Sequence, residues 1–575
     1  MRFMTEKRWI IRRYDLAAAE RLAAALDCDP VIAALLVLRG VSDPEEAHRV
    51  LHPSLDQLHD PQLMLGMDRA VARLMSAIAR GERILIYGDY DVDGTTGTAL
   101  LRRTFQMLGA QTHYYIPHRL SEGYGINREA LERACAEGYK LLLSVDCGIS
   151  SHEPLSWASA QGMEAIVTDH HLPDLGRGVP PAVAVLNPNQ PGCPYPDKNL
   201  TGVGVAFKLA HALLRANGRA SEEMIRGFLK LVAIGTVADV APLVGENRAI
   251  VALGLRDLPM AKNRGLRALM EVAGCYAGRG IKAYDIGFRI GPRINAAGRM
   301  DAARMVVQLF ESEDDSQARK LAAVLDERNR ERQRLQTELL KEALAEVEGS
   351  LHGSHVVVVA REGWHRGVIG LVASKLVELT GRPAIVISLE GEIGHGSARS
   401  IEEYHLHEGL SACAELLERF GGHRHAAGLQ IRRESIAELR RRLNEHAASL
   451  LRPEDLTPAL RIDMELPLGA VTFDLARKLE TLEPFGTGWR RPIFLTRGLE
   501  VDGEPRAFGN EHLKFCVRDA DGARCTALWW RAALSGRRTP RAGEIIELVY
   551  SVELNLWQGL EELRLVVEDC RAMGE

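Results

Sequence analysis

Short apolar runs alternate with amphipathic stretches from about residue 83 onward. Five runs, at 83–87, 112–116, 141–145, 165–168 and 183–186, have the length and the nearly continuous apolar character of buried β-strands. The intervening stretches, such as 95–108, 128–137 and 155–161, repeat apolar residues at helical spacing. This alternation is typical of a parallel sheet covered by helices on both faces. We therefore predict an α/β domain over residues 76–308, preceded by a helical segment over residues 1–75.

The pattern changes three times in the remainder of the chain. Residues 314–349 are rich in Ala, Leu, Glu, Arg and Lys, which predicts one long connecting helix within 309–350. Its basic patch, Arg328 to Arg334, indicates either a solvated helix face or a wall that contacts phosphates. Strands at 355–360, 384–388 and near 429–431, with helices at 367–379, 406–419 and 436–450, predict a second α/β domain over 351–452. Short alternating strands then predict a small β-barrel over 453–575.

Composition narrows the class of protein without identifying a function. The chain has 575 residues, too many for one hydrophobic core, with 46% hydrophobic and 26% charged residues. No run approaches the ~20 apolar residues that span a bilayer, and no apolar stretch follows the basic start. The net charge of −5 argues against a protein that coats nucleic acid non-specifically. A nuclease with a local basic channel remains compatible with that charge.

The nine cysteines are dispersed, without the paired spacing of a disulfide framework or a zinc site. Dispersed cysteines are typical of reduced thiols, which predicts a cytoplasmic protein.

Acidic and imidazole side chains recur where the strands of the first domain end. The positions are Asp89, Asp91 and Asp93 after the first strand, Asp146 after the third, Asp169, His170 and His171 after the fourth, and Asp239 after an apolar helical run. Ligands of open α/β sheets lie outside the carboxyl ends of the strands. We therefore expect these side chains to converge at one edge of the sheet.

Clustered carboxylates repel one another and lose hydration, so they either take up protons or bind a cation. Oxygen ligands with one or two imidazoles suit Mn²⁺ or Mg²⁺, and two such ions activate a water for attack on a phosphorus centre. Each piece has a structural alternative when taken alone: Asp93-Gly94 as a turn, Asp169 or Asp239 as a helix cap. The arrival of four separate segments at one edge favours the metal cluster.

These residues also carry a resemblance. Asp89-Tyr-Asp-Val-Asp-Gly94, Ser144-Val-Asp-Cys-Gly148, Asp169-His-His171 and Gly235-Thr-Val-Ala-Asp239 are similar to the four motifs of the DHH phosphoesterase superfamily. Further stretches resemble those typical of its RecJ family of single-stranded-DNA exonucleases: residues 288–299, 364–367, 396–400 and 421–428. The resemblance extends from about residue 80 to the barrel. It implies a DHH domain, a DHH-associated substrate-binding domain and an oligonucleotide-binding (OB) barrel.

The resemblance implies a role for each residue of the acidic cluster. The implied metal ligands are Asp91, Asp93, Asp146, His170 and Asp239. Asp89 is either a ligand or an acid that shapes the site from behind the ligands. His171 is expected to face the scissile phosphate, and Asp169 to orient the histidines through a hydrogen bond.

The resemblance also implies residues that bind the substrate. The implied pocket for the 5′-terminal phosphate consists of Arg119, Arg299, Ser397 and Arg399, with the last two in a Gly-rich bend. Arginine suits this task because its planar fork contacts two phosphate oxygens, although Arg299 and Arg399 are also candidates for salt links between domains. His423 is either a phosphate contact or a helix-terminal residue. In the barrel, Phe508, Phe515, Trp529, Trp530 and Trp557 are candidates for stacking on bases, with at least half of them expected in the core.

The implied activity is metal-dependent 5′ to 3′ degradation of single-stranded DNA to mononucleotides, in DNA repair and recombination. The implied partners are a single-strand-binding protein and a recombination helicase, with the chain itself a monomer. Two alternatives remain open. One is a phosphodiesterase of the same superfamily that acts on short oligoribonucleotides or cyclic dinucleotides. The other is a DNA-binding scaffold without catalytic activity.

Overall fold

The computed structural model describes residues 7–573, apart from 120, 175, 276–279, 301, 349–350, 352, 510, 533–537 and 558. The chain forms two compact units. The first unit comprises His48–Arg332 and Glu483–Arg490; the second comprises Met1–Ala47, Gln333–Leu482 and Arg491–Glu575. The nine cysteines are free thiols. None of the described helices combines the length and the apolar character needed to cross a bilayer.

The amino-terminal segment contains one strand and three helices: β1 (Arg8–Ile11), α1 (Leu16–Leu26), α2 (Pro30–Leu38) and α3 (Pro44–Leu51). Asp15 and Asp29 cap α1 and α2 by accepting hydrogen bonds from backbone N–H groups. The segment predicted as helical also contains a strand, β1, which the prediction did not include. This strand pairs in parallel with Ala459–Ile462, more than 400 residues away, so its partner is not visible in the local pattern.

The first unit contains a five-stranded parallel sheet in the order β3-β2-β4-β5-β6. The strands are β2 (Ile84–Gly88), β3 (Thr112–Tyr115), β4 (Leu141–Val145), β5 (Glu164–Thr168) and β6 (Ala184–Leu186). Helices α4 (Met67–Ala79), α5 (Val92–Met107), α6 (Arg128–Ala136) and α7 (His152–Ala160) accompany them. Successive residues of β2 enter different cores: Ile84 and Ile86 join one cluster, Leu85 and Tyr87 the other. The predicted parallel sheet with two covered faces is confirmed.

Helices follow the sheet. They are α8 (Gly202–Ala216), α9 (Glu222–Ala238), α10 (Gly245–Asp257), α11 (Arg264–Val272), α12 (Ala283–Asp285), a π-helical turn (Ile286–Ile290), α13 (Gly291–Arg299), α14 (Ala303–Glu311) and α15 (Asp315–Glu348). Helix α15 agrees with the long helix predicted over 314–349. Short 3₁₀ turns occur at Leu55–Gln57, Pro61–Leu63, Leu258–Met260, Ala414–Leu416, Arg433–Ser435, Pro453–Leu456 and Leu468–Ala470.

The second unit contains a five-stranded mixed sheet in the order β10-β11-β9-β8-β7. Its strands are β7 (Val357–Glu362), β8 (Ala384–Glu390), β9 (Ile393–Arg399), β10 (Leu417–Gly422) and β11 (Ala426–Arg432), with helices α16 (Arg366–Thr380), α17 (Leu406–Ser411) and α18 (Ile436–Leu450). Two predictions were wrong here. The helix predicted over 406–419 ends at Ser411, and its last residues form β10. The bend predicted around Ser397 is β9, a central strand whose Gly394 and Gly396 leave room for Ile387 and Leu429.

The carboxyl-terminal part of the second unit contains β12 (Ala459–Ile462), β13 (Met464–Glu465), α19 (Phe473–Glu480), β14 (Phe494–Phe508), β15 (His512–Arg518), β16 (Arg524–Trp529), β17 (Ile545–Trp557) and β18 (Leu560–Ala572). Strands β14, β15, β16, β18 and β17 pair in that order, and β17 pairs back to β14. This last pairing closes a five-stranded barrel, as predicted.

Candidate functional site

Three strands of the first sheet are each followed directly by an aspartate. Asp89 directly follows β2, Asp146 follows β4, and Asp169 follows β5, so all three lie at the carboxyl edge of the sheet. Asp146 has a left-handed backbone conformation, with φ of 62°, and its N–H donates to the Thr168 carbonyl at 2.9 Å. Asp239 reaches the same place from the last turn of α9, which it caps.

His170 lies at the centre of the carboxylates. Its Nε2 is 3.3 Å from Asp146 Oδ1, 3.8 Å from Asp93 Oδ2 and 3.9 Å from Asp239 Oδ2. Asp89, Asp91 and Asp146 form a neighbouring group whose carboxylate oxygens lie within 4.8 Å of one another. Asp146 belongs to this group and also lies beside the histidines, so one carboxylate links two sets of potential ligands. Two adjoining sets with a shared carboxylate suit a pair of cations.

The atoms that face one another at this centre lack protein partners. Asp89 Oδ1, Asp146 Oδ1 and His170 Nε2 are buried, and no described residue forms a hydrogen bond with any of them. Buried polar atoms without partners are rare, because each loses its hydration without gaining a hydrogen bond. A cation supplies the missing contact. The donor set, carboxylate oxygens with an imidazole, fits Mn²⁺ or Mg²⁺.

The raised pKa values of the clustered aspartates also indicate a site that is stabilised by positive charge. Burial and the neighbouring Asp91 carboxylate raise the pKa of Asp93 to about 7. Burial and the charge of Asp93 raise the pKa of Asp239 to about 8. The pKa values of Asp89 and Asp146 are also raised, by burial and by the other carboxylates. Without a cation these acids therefore favour their protonated forms.

Burial and the adjacent His171 lower the pKa of His170 to about 4. His170 is therefore neutral at physiological pH, which is the form that ligates metals.

Backbone N–H groups at the start of α8 hold the Asp93 carboxylate. Helix α8 begins at Gly202, and the N–H groups of Gly202 and Val203 donate to Asp93 Oδ2 at 2.6 Å and Oδ1 at 2.8 Å. Thr201 caps the same helix. A carboxylate oxygen has two lone-pair positions, so each oxygen of Asp93 retains acceptor capacity for a metal ion. The amino terminus of α8 thus orients Asp93 and offsets part of its charge.

Asp169 organises the two histidines. Its Oδ1 accepts from the N–H groups of His170 at 2.8 Å and His171 at 3.1 Å, and it lies 2.8 Å from His171 Nδ1. Burial acts to lower the pKa of His171, but the hydrogen bond and charge of Asp169 raise it to about 9. Burial acts to raise the pKa of Asp169, and the contacts with His171 lower it below the ordinary range. His171 is therefore a cation at neutral pH, with part of its ring exposed.

Two of the arginines assigned to substrate lie near this cluster in the first unit. The Arg119 guanidinium is 4.9 Å from the centre of the Tyr90 ring, and Tyr90 lies between Asp89 and Asp91 in sequence. The charges of Arg119 and Arg299 both act on the Tyr90 hydroxyl. A methyl group at Gly298 would approach the Tyr90 carbonyl to 2.5 Å, which shows how closely α13 packs at this point.

The other residues predicted to bind substrate lie in the second unit. Ser397 and Arg399 both lie on β9. Arg399 Nη1 donates to Ser397 Oγ at 3.2 Å and to the Ala398 carbonyl at 2.8 Å. His423 follows β10 rather than a helix, and its side chain is exposed. The helix-terminal alternative for His423 is therefore wrong.

The barrel separates the two adjacent tryptophans. Trp529 is only 4% exposed, whereas Trp530 is 46% exposed and its ring lies 4.9 Å from His512 and 5.5 Å from Phe508. Neighbouring residues at a strand end face opposite sides, so one tryptophan fills the core and the other faces solvent. Burial removes Trp529 and Phe515 from the candidate stacking residues. The side chain of Trp557 lies outside the described residues.

Comparison with known proteins identifies the family. Three family descriptions match the chain: "DHH family, N-terminal domain" over residues 83–236, "DHHA1 domain" over 353–449 and "RecJ OB domain" over 462–569. The single-stranded-DNA-specific exonuclease RecJ of Bacillus subtilis is 38% identical, over 98% of this chain and 71% of that protein. The enzyme of the same name from Dickeya dadantii is 36% identical, over 93% of this chain and 94% of that protein. The chain belongs to the RecJ family.

A solved structure supports the same assignment. The RecJ of Thermus thermophilus in complex with Mn²⁺ superimposes with a TM-score of 0.84 at 33% identity, over 99% of this chain and 80% of that chain. The RecJ fold of this chain contains supporting residues that the sequence interpretation missed. Asn187 and Asn189 donate to the carbonyls of His171 and His170, each at 2.8 Å. The Tyr124 hydroxyl lies 3.0 Å from His171 Nδ1.

The start of α8, which holds Asp93, was partly visible in the sequence. Thr201-Gly202-Val203-Gly204 has the composition of a helix start, with a capping threonine followed by small residues. Nothing in that pattern pointed to Asp93, which is 109 residues away.

Proposed function

We propose that this chain is a divalent-metal-dependent exonuclease that degrades single-stranded DNA from the 5′ end to mononucleotides, in DNA repair and recombination. The observation that carries the proposal is the pair of adjoining ligand sets that share Asp146, with three buried atoms that have no hydrogen-bond partner among the described residues. Such a centre suits phosphodiester hydrolysis, because the negative phosphate and the attacking water both need nearby positive charge.

Asp91, Asp93, Asp146, His170 and Asp239 are the proposed metal ligands, with Mn²⁺ or Mg²⁺ as the cations. Asp89 joins one ligand set by geometry, and we propose it as a ligand or as an acid that supports the others. Bound cations supply charge neutralisation at phosphorus and an activated water. The protein holds Asp93 on the start of α8 and keeps His170 neutral. The hydrogen bond and charge of Asp169 favour the protonated form of His171, which is able to donate a hydrogen bond or a proton to a phosphate oxygen.

The direction of degradation depends on recognition of the 5′ end. We propose that Arg119, Arg299, Ser397 and Arg399 bind the terminal phosphate and that His423 contacts a phosphate. Arg119 and Arg299 lie near Tyr90 and therefore near the metal ligands that flank it. The hydrogen bond from Arg399 to Ser397 orients the guanidinium for a two-point contact.

Trp530 is the proposed stacking residue of the barrel, since its ring is 46% exposed. The remaining inferences extend the proposal to the cell. We propose a monomer in the cytoplasm, with a single-strand-binding protein and a recombination helicase as partners.

The decisive experiment measures polarity and metal dependence on end-labelled DNA. With Mn²⁺ or Mg²⁺, we expect a 5′-labelled single strand to release labelled mononucleotide at once. A 3′-labelled strand should shorten progressively, and duplex DNA and metal-free reactions should show no product. Short oligoribonucleotides and cyclic dinucleotides, offered in the same assay, should be poor substrates. A preference for them, or release from the 3′ end, would contradict the proposal.

A further inference from the structure

Two aromatic rings project from the first unit, on a segment that packs against the end of α9. Phe288 and Tyr284 are 68% and 58% exposed, the highest values for aromatic side chains in the described part of the chain. Their ring centres are 4.6 Å apart and their planes differ by 26°, so the two rings stack on each other. Large aromatic surfaces of a soluble protein are normally buried. A stacked pair left in solvent therefore requires a reason.

The aromatic pair (Tyr284 and Phe288) lies next to the end of α9. A methyl group at Gly287 would lie 3.9 Å from Val237 Cγ1, and one at Gly291 would lie 3.4 Å from Ala238 Cβ. Asp239 of the acidic cluster directly follows those two contact residues. Val240 comes next and is 65% exposed, so an apolar surface begins immediately beside a proposed metal ligand.

The segment that carries the aromatic pair is anchored at several points. Asp285 is buried, accepts from the Lys282 N–H at 3.0 Å and forms an ion pair with Arg289 at 3.3 Å. Arg293 donates to the Arg289 carbonyl at 2.6 Å and pairs with Asp326 at 2.8 Å. Phe288 lies within the π-helical turn Ile286–Ile290, a feature that occurs often at functional sites. The segment that carries the rings is thus held in place before any ligand arrives, which reduces the entropy lost on binding.

We propose that Tyr284 and Phe288 stack on an unpaired base of the substrate strand just outside the metal centre, and so hold the strand in register for cleavage. This inference rests on the proposed function and adds the residues that grip the strand close to the cut. The exposed area of the two rings is about 200–300 Å². That area matches one or two bases, whereas a protein partner needs about 800 Å². A base inside a duplex has both faces covered by its neighbours, so the pair favours single strands.

The test compares variants on strands in which one base at a time is missing. Tyr284→Ala with Phe288→Ala should raise KM for a 5′-phosphorylated single strand about tenfold or more, with kcat nearly unchanged. The wild type should show a similar rise in KM when the strand lacks a base at one particular position near the 5′ end. The double variant should show no further rise with that strand, because the base and the rings contribute through the same contact.

Two control variants accompany the test. Phe473→Ala removes another exposed aromatic ring, 42% exposed on α19 of the second unit, and should leave KM unchanged. Tyr284→Phe with Phe288→Tyr keeps both rings and should retain the wild-type KM. A 2-aminopurine base at the sensitive position should lose fluorescence when it binds the wild type without metal, and much less when it binds the double variant.

The outcomes separate this inference from the proposed function. If the wild type cleaves single strands and the double variant has the same KM, the stacking role is overturned while the proposed exonuclease function stands. An aromatic pair that instead docks a protein would give this result. If KM of the double variant also rises when the base is missing, the rings and the base contribute separately, and this result overturns the stacking role as well. A wild type that cleaves no DNA overturns the proposed function, and the fluorescence measurement then still decides whether the rings stack on a base.

Discussion

At the residue scale, Asp146 combines an unusual backbone with an unusual side chain. Its φ of 62° lies in a region that aspartate and asparagine tolerate better than most residues. Its Oδ1 is buried without a described hydrogen-bond partner and lies 3.3 Å from His170 Nε2. Strained conformations of this kind persist where the surrounding structure enforces them, often at active sites. The turn after β4 therefore directs one carboxylate to the point that both ligand sets share.

Asp146→Asn removes the charge and keeps a residue that tolerates the left-handed backbone. We expect metal-dependent nucleotide release to fall on the order of 1,000-fold, since a bound cation contributes several kcal/mol to the transition state. Single-strand binding should survive, and the metal-free fold should be no less stable, because one mutually repelling carboxylate is gone. Release kinetics and strand-binding titrations check both points. Asp68→Asn, on the exposed first turn of α4, is the matched control. Turnover that equals the wild type would remove Asp146 from the mechanism.

The adjacent tryptophans allow a paired experiment. Trp530→Ala should weaken single-strand binding by about 1–3 kcal/mol without lowering the thermal midpoint, because its ring is half exposed. Trp529→Ala should destabilise the barrel by about 3–5 kcal/mol, because its ring is 4% exposed in the core. Fluorescence anisotropy and thermal unfolding measure the two effects. Equal loss of binding in both variants at a temperature where both are folded would argue against the separate roles.

At the element scale, the starts of two helices hold two carboxylates of the acidic cluster. Asp91 caps α5 by accepting from the Gly94 N–H at 3.0 Å, and Asp93 is held by the first N–H groups of α8. Gly202 is the residue at which this arrangement is tightest. A methyl group there would come within 2.5 Å of Asp146 Cβ and 2.6 Å of its Oδ1.

Gly202→Ala should therefore displace Asp146 or the start of α8. We expect metal-dependent activity to fall at least about 100-fold, as displacement of catalytic groups by about 1 Å has that effect. Gly227→Ala is the control: this glycine lies in α9 with no atom within 4 Å of the added methyl group, and the change should stabilise the helix by about 0.5–1 kcal/mol. Activity and Mn²⁺ titrations of the two variants check the prediction. An active Gly202→Ala enzyme would show that the contact relaxes freely.

Elements with a complete local pattern were predictable, and elements defined by distant partners were not. The strands of the first sheet follow from short apolar runs, and α18 was predicted to its ends because its periodicity is uninterrupted. Strand β10 was assigned to a helix because its apolar residues also fit helical spacing, and only pairing with β11 makes it a strand. The acidic cluster was predicted because Asp89, Asp146 and Asp169 directly follow strands. Asn187, Asn189 and Gly202 were missed because their partners lie elsewhere in the chain.

At the scale of the whole molecule, the acidic cluster links folding to pH and to metal. Asp93 and Asp239 ionise near pH 7 and 8 in the folded chain, against 3.8 for an exposed aspartate. His171 keeps its proton to about pH 9, against 6.5 for an ordinary histidine. Between about pH 6.5 and 8.5 the folded, metal-free chain thus binds more protons than the unfolded chain. Its stability must therefore decrease as pH rises through this window.

Metal binding opposes this decrease, because a divalent cation replaces the protons and neutralises the carboxylates. We expect the thermal midpoint of the metal-free protein to be lower at about pH 8.5 than at about pH 6.5, and Mn²⁺ to raise it more at the higher pH. His170 and His211, whose pKa values are lowered to about 4 in the folded chain, oppose this trend near pH 6.5, where each is about half protonated in the unfolded chain, and stop contributing as pH rises. Thermal unfolding with Mn²⁺ or with a chelator, at both pH values, measures the effect. Asp146→Asn should reduce both the pH dependence and the metal-induced shift. An equal Mn²⁺ shift at the two pH values would show that these acids do not take up the metal in place of protons.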